Sequence, residues 1–345
     1  MTAKELILKL TGAAGVAGCE EQAVQAAREL LAPYGSCELT PLGSLVCRVK
    51  SAGPEKPHLM LTAHIDQIGM VVTHIDEKGF LRVGNCGGID RSMLLSSQLL
   101  VHTASGLLPG VVCTIPPHLN PDENKIPKME EFAVDVGLSA EDARRRISLG
   151  DRITFDAVPA QLAGGKLCSP AADDRAGCAS VILAVQALAA CPLDCSLSVL
   201  LASMEETGGA GARTGANLLS PTHAIAVDVS FGDTPDTPKH QCGVLGKGPM
   251  VGIAPILDQG MFSGMKACAE RHGIPYQVEV MSRSTGTDAD SVAVSGAGVR
   301  CALLSIPLRY MHTPIELIEP SDVQLTADLI AAYVKDTFGG NADAV

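Results

Sequence analysis

Histidines and carboxylates recur in this 345-residue chain in short clusters, each placed where a run of apolar residues ends. They are Ala63-His64-Ile65-Asp66, Asp173-Asp174-Arg175, Glu205-Glu206, Asp228 and Met311-His312-Thr313-Pro314. Imidazoles and carboxylates without cysteine form a hard-to-borderline ligand set suited to Zn²⁺, Co²⁺ or Mn²⁺. A second glutamate beside a ligand glutamate adds a proton acceptor for water activated by such ions. The chemistry this set points to is metal-assisted hydrolysis.

Each cluster also has an ordinary explanation when taken alone. His64 and Asp66 stand two residues apart near a strand end, so both project to one side. A ligand imidazole needs a fixed tautomer, which Asp66 would supply, but a surface His-x-Asp pair reads the same way. Asp173 can bridge two cations with its two oxygens, whereas a carboxylate at Asp174 can simply cap the helix opening at Ala176. Glu205 and Glu206 follow the apolar run 197–202; buried there they repel unless something positive compensates, and exposed they are a solvated loop pair. Asp228 ends the run 223–227, and His312 follows 306–311. The force is joint, because open α/β sheets bind ligands at the carboxyl ends of strands, where all these clusters fall. His58, His74, His102, His118, His223, His240 and His272 lack comparable surroundings and are assigned structural roles.

The elements that must position these residues show in the apolar periodicity. Helices are predicted near 3–10 and 19–32 around a glycine-rich loop, and short strands near 37–49 and 58–64. From residue 173 onward, helices near 174–190, 211–219, 258–272, 287–295 and 321–337 alternate with strands near 196–202, 223–229, 276–281 and 299–305. That alternation predicts an α/β layer with a mixed, largely buried sheet flanked by helices. Residues 68–162 read differently, as short strands separated by glycine turns with one helix at 139–148. They predict a compact β domain inserted into the α/β domain, which then comprises 1–67 and 163–345. Residues 116–127 read as a mobile surface loop.

Composition bounds the alternatives. Hydrophobic residues make up 46 % and charged residues 19 %, which excludes a disordered chain. The net charge of −12 argues against nucleic-acid binding, and Arg144-Arg145-Arg146 reads as a solvated helix face. No segment approaches a membrane span, and the N-terminus lacks a signal-peptide core, so the expected location is cytoplasmic. The 12 cysteines are scattered without Cys-x-x-Cys, as expected for reduced, buried thiols. Gly-x-Ser-x-Gly, a Walker A loop and His-Glu-x-x-His are all absent, and the glycines at 208, 209, 211 and 215 do not form a dinucleotide motif.

The sequence resembles the tetrahedral (TET-type) deblocking and glutamyl aminopeptidases. The resemblance rests on Ala63-His64-Ile65-Asp66-Gln67-Ile68-Gly69, Asp173-Asp174-Arg175-Ala176-Gly177, Glu205-Glu206, Gly246-Lys247-Gly248-Pro249, Gly286-Thr287-Asp288-Ala289 and Arg309-Tyr310-Met311-His312-Thr313-Pro314-Ile315-Glu316. It runs from the first helices to the last, in the family's order. Gln67 stands where the family usually has an acidic residue, and Ala210 where it usually has arginine. The resemblance implies a zinc-peptidase-like catalytic domain and two divalent ions. His64 and Asp228 would hold one ion, Glu206 and His312 the other, and Asp173 would bridge them. Glu205 would be the general base and Asp66 the orienting partner of His64. The inserted domain would be a small β-barrel-like dimerisation domain, and the assembly a homo-oligomer, up to a tetrahedral dodecamer. The substrates would be peptides with a free N-terminus, and Arg283, Ser284 and residues 253–259 would line the specificity pocket.

Rival functions are a related two-metal carboxypeptidase or deacylase, a glycosidase and a non-catalytic scaffold. In the carboxypeptidase-like relatives the extra domain usually follows the glutamate pair, whereas here the β region precedes Asp173. A glycosidase would leave both histidines idle. A scaffold predicts decayed ligand positions, and every one is present.

Overall fold

The computed structural model of the chain describes residues 1–119 and 126–340. At its centre, strands Ser196–Ala202, His58–His64, His223–Phe231 and Arg300–Arg309 lie side by side and parallel. Their near-continuous apolar runs suit a sheet covered on both faces. In His58–His64 the pleat sends Leu59, Leu61 and Ala63 to one helical layer and Met60 to the other. The first layer holds helices Ala3–Thr11, Glu21–Leu31, Ala172–Leu188, Gln259–His272 and Pro320–Phe338. The second holds Ala210–Leu219 and Asp288–Ala293.

Antiparallel strands extend both flanks, so the sheet is mixed as the sequence predicts. On one side lies the hairpin Ser36–Leu39 and Leu45–Lys50; on the other lie Glu316–Ile318, Leu167–Ser169 and Ala160–Gln161. Met250–Ile253 and Gln277–Val280 form a spur off Arg300–Arg309. Several of these strands are only two to four residues long, too short to show a period, and they escape a reading based on alternation.

The β region closes into a barrel in the order Gly69–Ile75, Leu81–Cys86, Ala133–Asp135, Gly106–Val112, Gln98–Thr103, Arg152–Phe155. Met70, Val72, Leu81, Leu99, Val101, Val134 and Ile153 fill its interior. Helix Ala140–Arg146 starts where the Ser139 hydroxyl accepts from the Asp142 amide at 3.1 Å. Arg144, Arg145 and Arg146 are exposed, as expected of a solvated helix face, and the Arg144 guanidinium also donates to the Ile75 and Asp76 carbonyls at 3.3 and 3.1 Å. The surface loop expected at 116–127 lies partly outside the described residues. No described helix is long and apolar enough to cross a membrane.

Helix Ala210–Leu219 is seated against the segment that carries the glutamate pair. A methyl group on Gly211 would lie 2.2 Å from the Ser203 carbonyl oxygen and 2.6 Å from its nitrogen. Neither backbone atom can move aside without shifting the strand end. Gly211→Ala is expected to cost about 1–3 kcal/mol of stability, read as a lower urea midpoint; an unchanged midpoint would show that this close approach is not needed.

Candidate metal centre

His64 is the last residue of the central strand His58–His64, whose register pairs it with Ala202. Glu205 and Glu206 follow Ala202 after a turn in which Met204 takes a left-handed φ of 58°. His312 follows Arg300–Arg309 and also takes a positive φ, 62°. Non-glycine residues in this region carry strain of roughly 1–3 kcal/mol and occur where surrounding structure holds a functional group in place. Asp228 departs from the expectation that it ends a strand. His223–Phe231 continues three residues past it, because Val229, Ser230 and Phe231 keep pairing with Ile306, Pro307 and Leu308.

The two aspartates of Asp173-Asp174 divide the readings left open by the sequence. Both lie at non-helical angles ahead of the regular helix, and the peptide bond between them is cis. Asp174 accepts from the Gly177 amide at 2.9 Å and so caps the helix. Asp173 is free to face the site: its Oδ1 lies 2.9 Å from His64 Nε2, and its Oδ2 lies 3.3 Å from His312 Nε2. One carboxylate thus stands between two imidazoles. Asp228 Oδ1 is 3.8 Å from His64 Nε2, and Glu206 Oε2 is 3.4 Å from His312 Nε2. The structure brings together all five residues expected as ligands.

Their supports form two clamps. Asp66 accepts the amides of Glu205 and Glu206 on its two oxygens, at 3.0 and 3.1 Å. Its contact with His64 is mainly through the backbone, since Nδ1 lies 3.2 Å from the Asp66 carbonyl oxygen and 3.6 Å from its carboxylate. Glu316 forms the second clamp; it closes the motif Arg309–Glu316 that carries the family resemblance, but the sequence reading gave it no role. It is buried, and it accepts from the His312 amide at 2.9 Å and the Asp173 amide at 3.0 Å. The register Ser169↔Glu316 delivers it there, because Leu167–Ser169 leads into Asp173 and Glu316–Ile318 follows His312. Besides its place in that motif, the sequence signal was an acidic residue inside an apolar stretch four positions after His312.

Electrostatics show what the site lacks. Burial pushes the carboxyls of Asp228, Asp174 and Glu316 well up, and pushes Glu205 up to about 7 with like-charge repulsion from Glu206 added. Burial opposes charge on His312, yet Asp173 and Glu206 outweigh it and push the imidazole up to about 10. Arg175 is fully buried and donates to the Leu10 and Ala13 carbonyls at 2.8 and 3.2 Å, offsetting only part of this negative charge. The Glu206 Oε1 atom is buried without a hydrogen-bond partner. His64, Asp173 and Glu206 offer ligand atoms within 4.8 Å of one another, as do His64, Asp174 and Asp228. Dense carboxylates, two imidazoles and an orphaned oxygen fit divalent cations. A further group, Cys268, His272 and Asp336, also gathers within 4.8 Å, but Arg271 already pairs with Asp336 at 2.5 Å.

The centre opens into a cavity of about 410 Å³. The segment after barrel strand Leu81–Cys86 contributes Gly88 to its wall, with Gly87 beside it. A methyl on Gly87 would meet Glu206 Oε2 at 2.9 Å, and one on Gly88 would meet His312 Nδ1 at 2.8 Å. The opposite wall differs from expectation. Glu279, Met281, Thr285 and Thr287 line it, while Arg283 and Ser284 do not, and residues 256–258 border a separate depression with Arg300 and Cys301.

The chain belongs to the M42 glutamyl aminopeptidase family, whose model matches residues 43–329. It is 30 % identical to the lysyl aminopeptidase of Pyrococcus furiosus, over 96 % of each chain. Its fold is similar to an aminopeptidase of the archaeon Desulfurococcus kamchatkensis, with a TM-score of 0.91, 31 % identity and 97 % and 95 % of the two chains covered. It is also similar to the TET1 peptidase of Pyrococcus horikoshii, which can assemble into a tetrahedron or a large octahedral shell. That match has a TM-score of 0.85 and 26 % identity, and covers 96 % of this chain and 99 % of that one.

Glu316 touches no expected ligand atom, only the amides that aim two of them. Glu316→Gln replaces one acceptor with a donor facing an N–H. It is expected to weaken divalent-ion retention about 10- to 100-fold in chelator competition; retention equal to the parent would remove Glu316 from the positioning set.

Proposed function

We propose that this chain is a two-metal aminopeptidase that removes N-terminal residues from peptides. The observation that carries the reading is Asp173, held with one oxygen toward His64 and the other toward His312. His64 and Asp228 would hold one divalent ion and Glu206 and His312 the other, with Asp173 facing both histidines and able to serve both ions. Such ions, Zn²⁺, Co²⁺ or Mn²⁺, polarise a carbonyl and lower the pKa of water.

The chain's own residues do the rest. Glu205 takes the proton of the attacking water and returns it to the leaving amine. Asp66 keeps Glu205 and Glu206 in register by holding both of their amides. The walls around the centre confine the free amino terminus of the peptide, which makes cleavage exopeptidic.

Residues 1–67 and 163–345 form the catalytic domain in this reading, and 68–162 a dimerisation domain. Exposed Leu107, Ile115 and Val158 support a role in assembly for the inserted segment and its border. Assembly of the Pyrococcus horikoshii relative into a tetrahedron or a large octahedral shell, and a similar structure described as a dodecamer, support a homo-oligomer here, in the form of a tetrahedral dodecamer. The place of action is the cytoplasm.

The test is hydrolysis of short peptides with free and N-acetylated termini, before and after metal removal. Metal-dependent release from free termini alone is expected; release from acetylated peptides would favour a deacylase. Glu205→Gln is expected to keep its metal content by elemental analysis while turnover falls about 10²- to 10⁴-fold. Near-normal turnover would remove Glu205 from the role of base.

A further inference from the structure

The cavity beside the metal centre is lined in part by a carboxylate that the aminopeptidase chemistry does not use, one that also borders a second cavity with His240 and Gln241. Glu279, on strand Gln277–Val280, receives the Ser230 hydroxyl on Oε1 at 2.5 Å and the Ser305 hydroxyl on Oε2 at 2.6 Å. Among the described residues no lysine, arginine or histidine pairs with it, although a carboxylate has acceptor capacity beyond two hydroxyls. A half-buried carboxylate aimed into a cavity by two neutral donors and left without a cation is a site for one.

Its distance from the chemistry follows from the sheet. Ser305 is the register partner of Asp228 on the adjacent strand, and Ser230 lies two residues beyond Asp228 on the same strand and the same face. Two residues of strand span about 7 Å. The Glu279 carboxylate is therefore held by one serine beside Asp228 and one two residues beyond it, both anchors within about 7 Å of Asp228 along the sheet, a reach that a long basic side chain covers. Met281, Leu303 and Phe231 line the same cavity and offer apolar surface to methylenes, while Glu279 meets the charged tip.

We propose that Glu279 selects a basic residue, lysine or arginine, at the N-terminus of the substrate, and that an acidic residue there is rejected by like charge. This rests on the aminopeptidase reading and names its substrate class. The family model and the Pyrococcus furiosus relative carry different residue names, glutamyl and lysyl, so the assignment stands on Glu279 alone.

The experiment compares Lys-Ala-Ala, Arg-Ala-Ala, Met-Ala-Ala and Glu-Ala-Ala on the full-length, metal-loaded protein and on Glu279→Gln. The parent is expected to favour Lys and Arg over Met by about 10-fold or more in kcat/KM, and Glu279→Gln to lower the Lys:Met ratio by about 10- to 100-fold. A ratio that does not move overturns the proposal. An equal fall for all four peptides also overturns it, because Glu279 would then hold the α-amine common to them. Ser230→Ala, which removes one of the two hydroxyls aiming the carboxylate, reads the same ratio if the glutamine variant does not fold.

A binding measurement separates this proposal from the activity itself. Calorimetric titration with lysinamide and norleucinamide, which differ by the terminal amine, is expected to show about 10-fold tighter lysinamide binding that Glu279→Gln abolishes. Peptides left intact by the parent would sink the aminopeptidase reading, and equal affinities would sink the role of Glu279.

Discussion

The fold is organised around one electrostatic constraint: more carboxylate than a dry site can hold without cations. Asp66, Asp173, Asp174, Asp228 and Glu316 are all buried, and the Glu206 side chain is nearly so. Desolvating one unpaired charge costs several kcal/mol, and neighbours of like sign add to that. Within the chain the opposing charge comes from two imidazoles and the buried Arg175, which sits on the far side against the first helix and its following loop. That balance leaves a surplus of negative charge around His64, Asp173 and His312, which suits the divalent cations proposed for the site.

Given that repulsion, the ligands must be fixed by something other than one another. Backbone amides do this. Asp66 ties the two glutamates to the end of the central strand, and Glu316 ties His312 to Asp173 across two short antiparallel strands. Each clamp is a carboxylate holding two N–H donors, so both parts of the ligand set are referenced to the sheet and not to flexible side chains. Left-handed backbone at Met204 and His312 is tolerated because these clamps over-determine it.

The two halves of the structure share the site. The ends of the parallel strands and the start of helix Ala172–Leu188 supply the proposed ligands, while Gly87 and Gly88, just after a barrel strand, lie against Glu206 and His312 where any side chain would collide. Specificity sits on the third side, where the spur strand Gln277–Val280 carries Glu279 across to Ser230 and Ser305. The proposed ligands, the glycines packed on them and Glu279 therefore come from elements far apart in the chain that meet at the carboxyl ends of the central strands.

Long periodic elements were legible from sequence, because a buried parallel strand or an amphipathic helix needs a run of apolar residues that local pattern exposes. The central sheet, the helices of both layers and the inserted β region fall under that rule. His64, Asp173, Glu205, Glu206, Asp228 and His312 were legible as candidates, because hydrolytic chemistry needs those residue types and strand ends announce themselves. The choice between capping and bridging at Asp173-Asp174 was not, since it depends on which carboxylate meets the Gly177 amide. Glu316, Gly87-Gly88 and Glu279 lay equally out of reach. Their roles arise from pairing between strands of three to six residues and from contacts across the sheet. One-dimensional pattern records what a residue is and how often its neighbours repeat; which buried charge faces which is decided only when distant strands come into register.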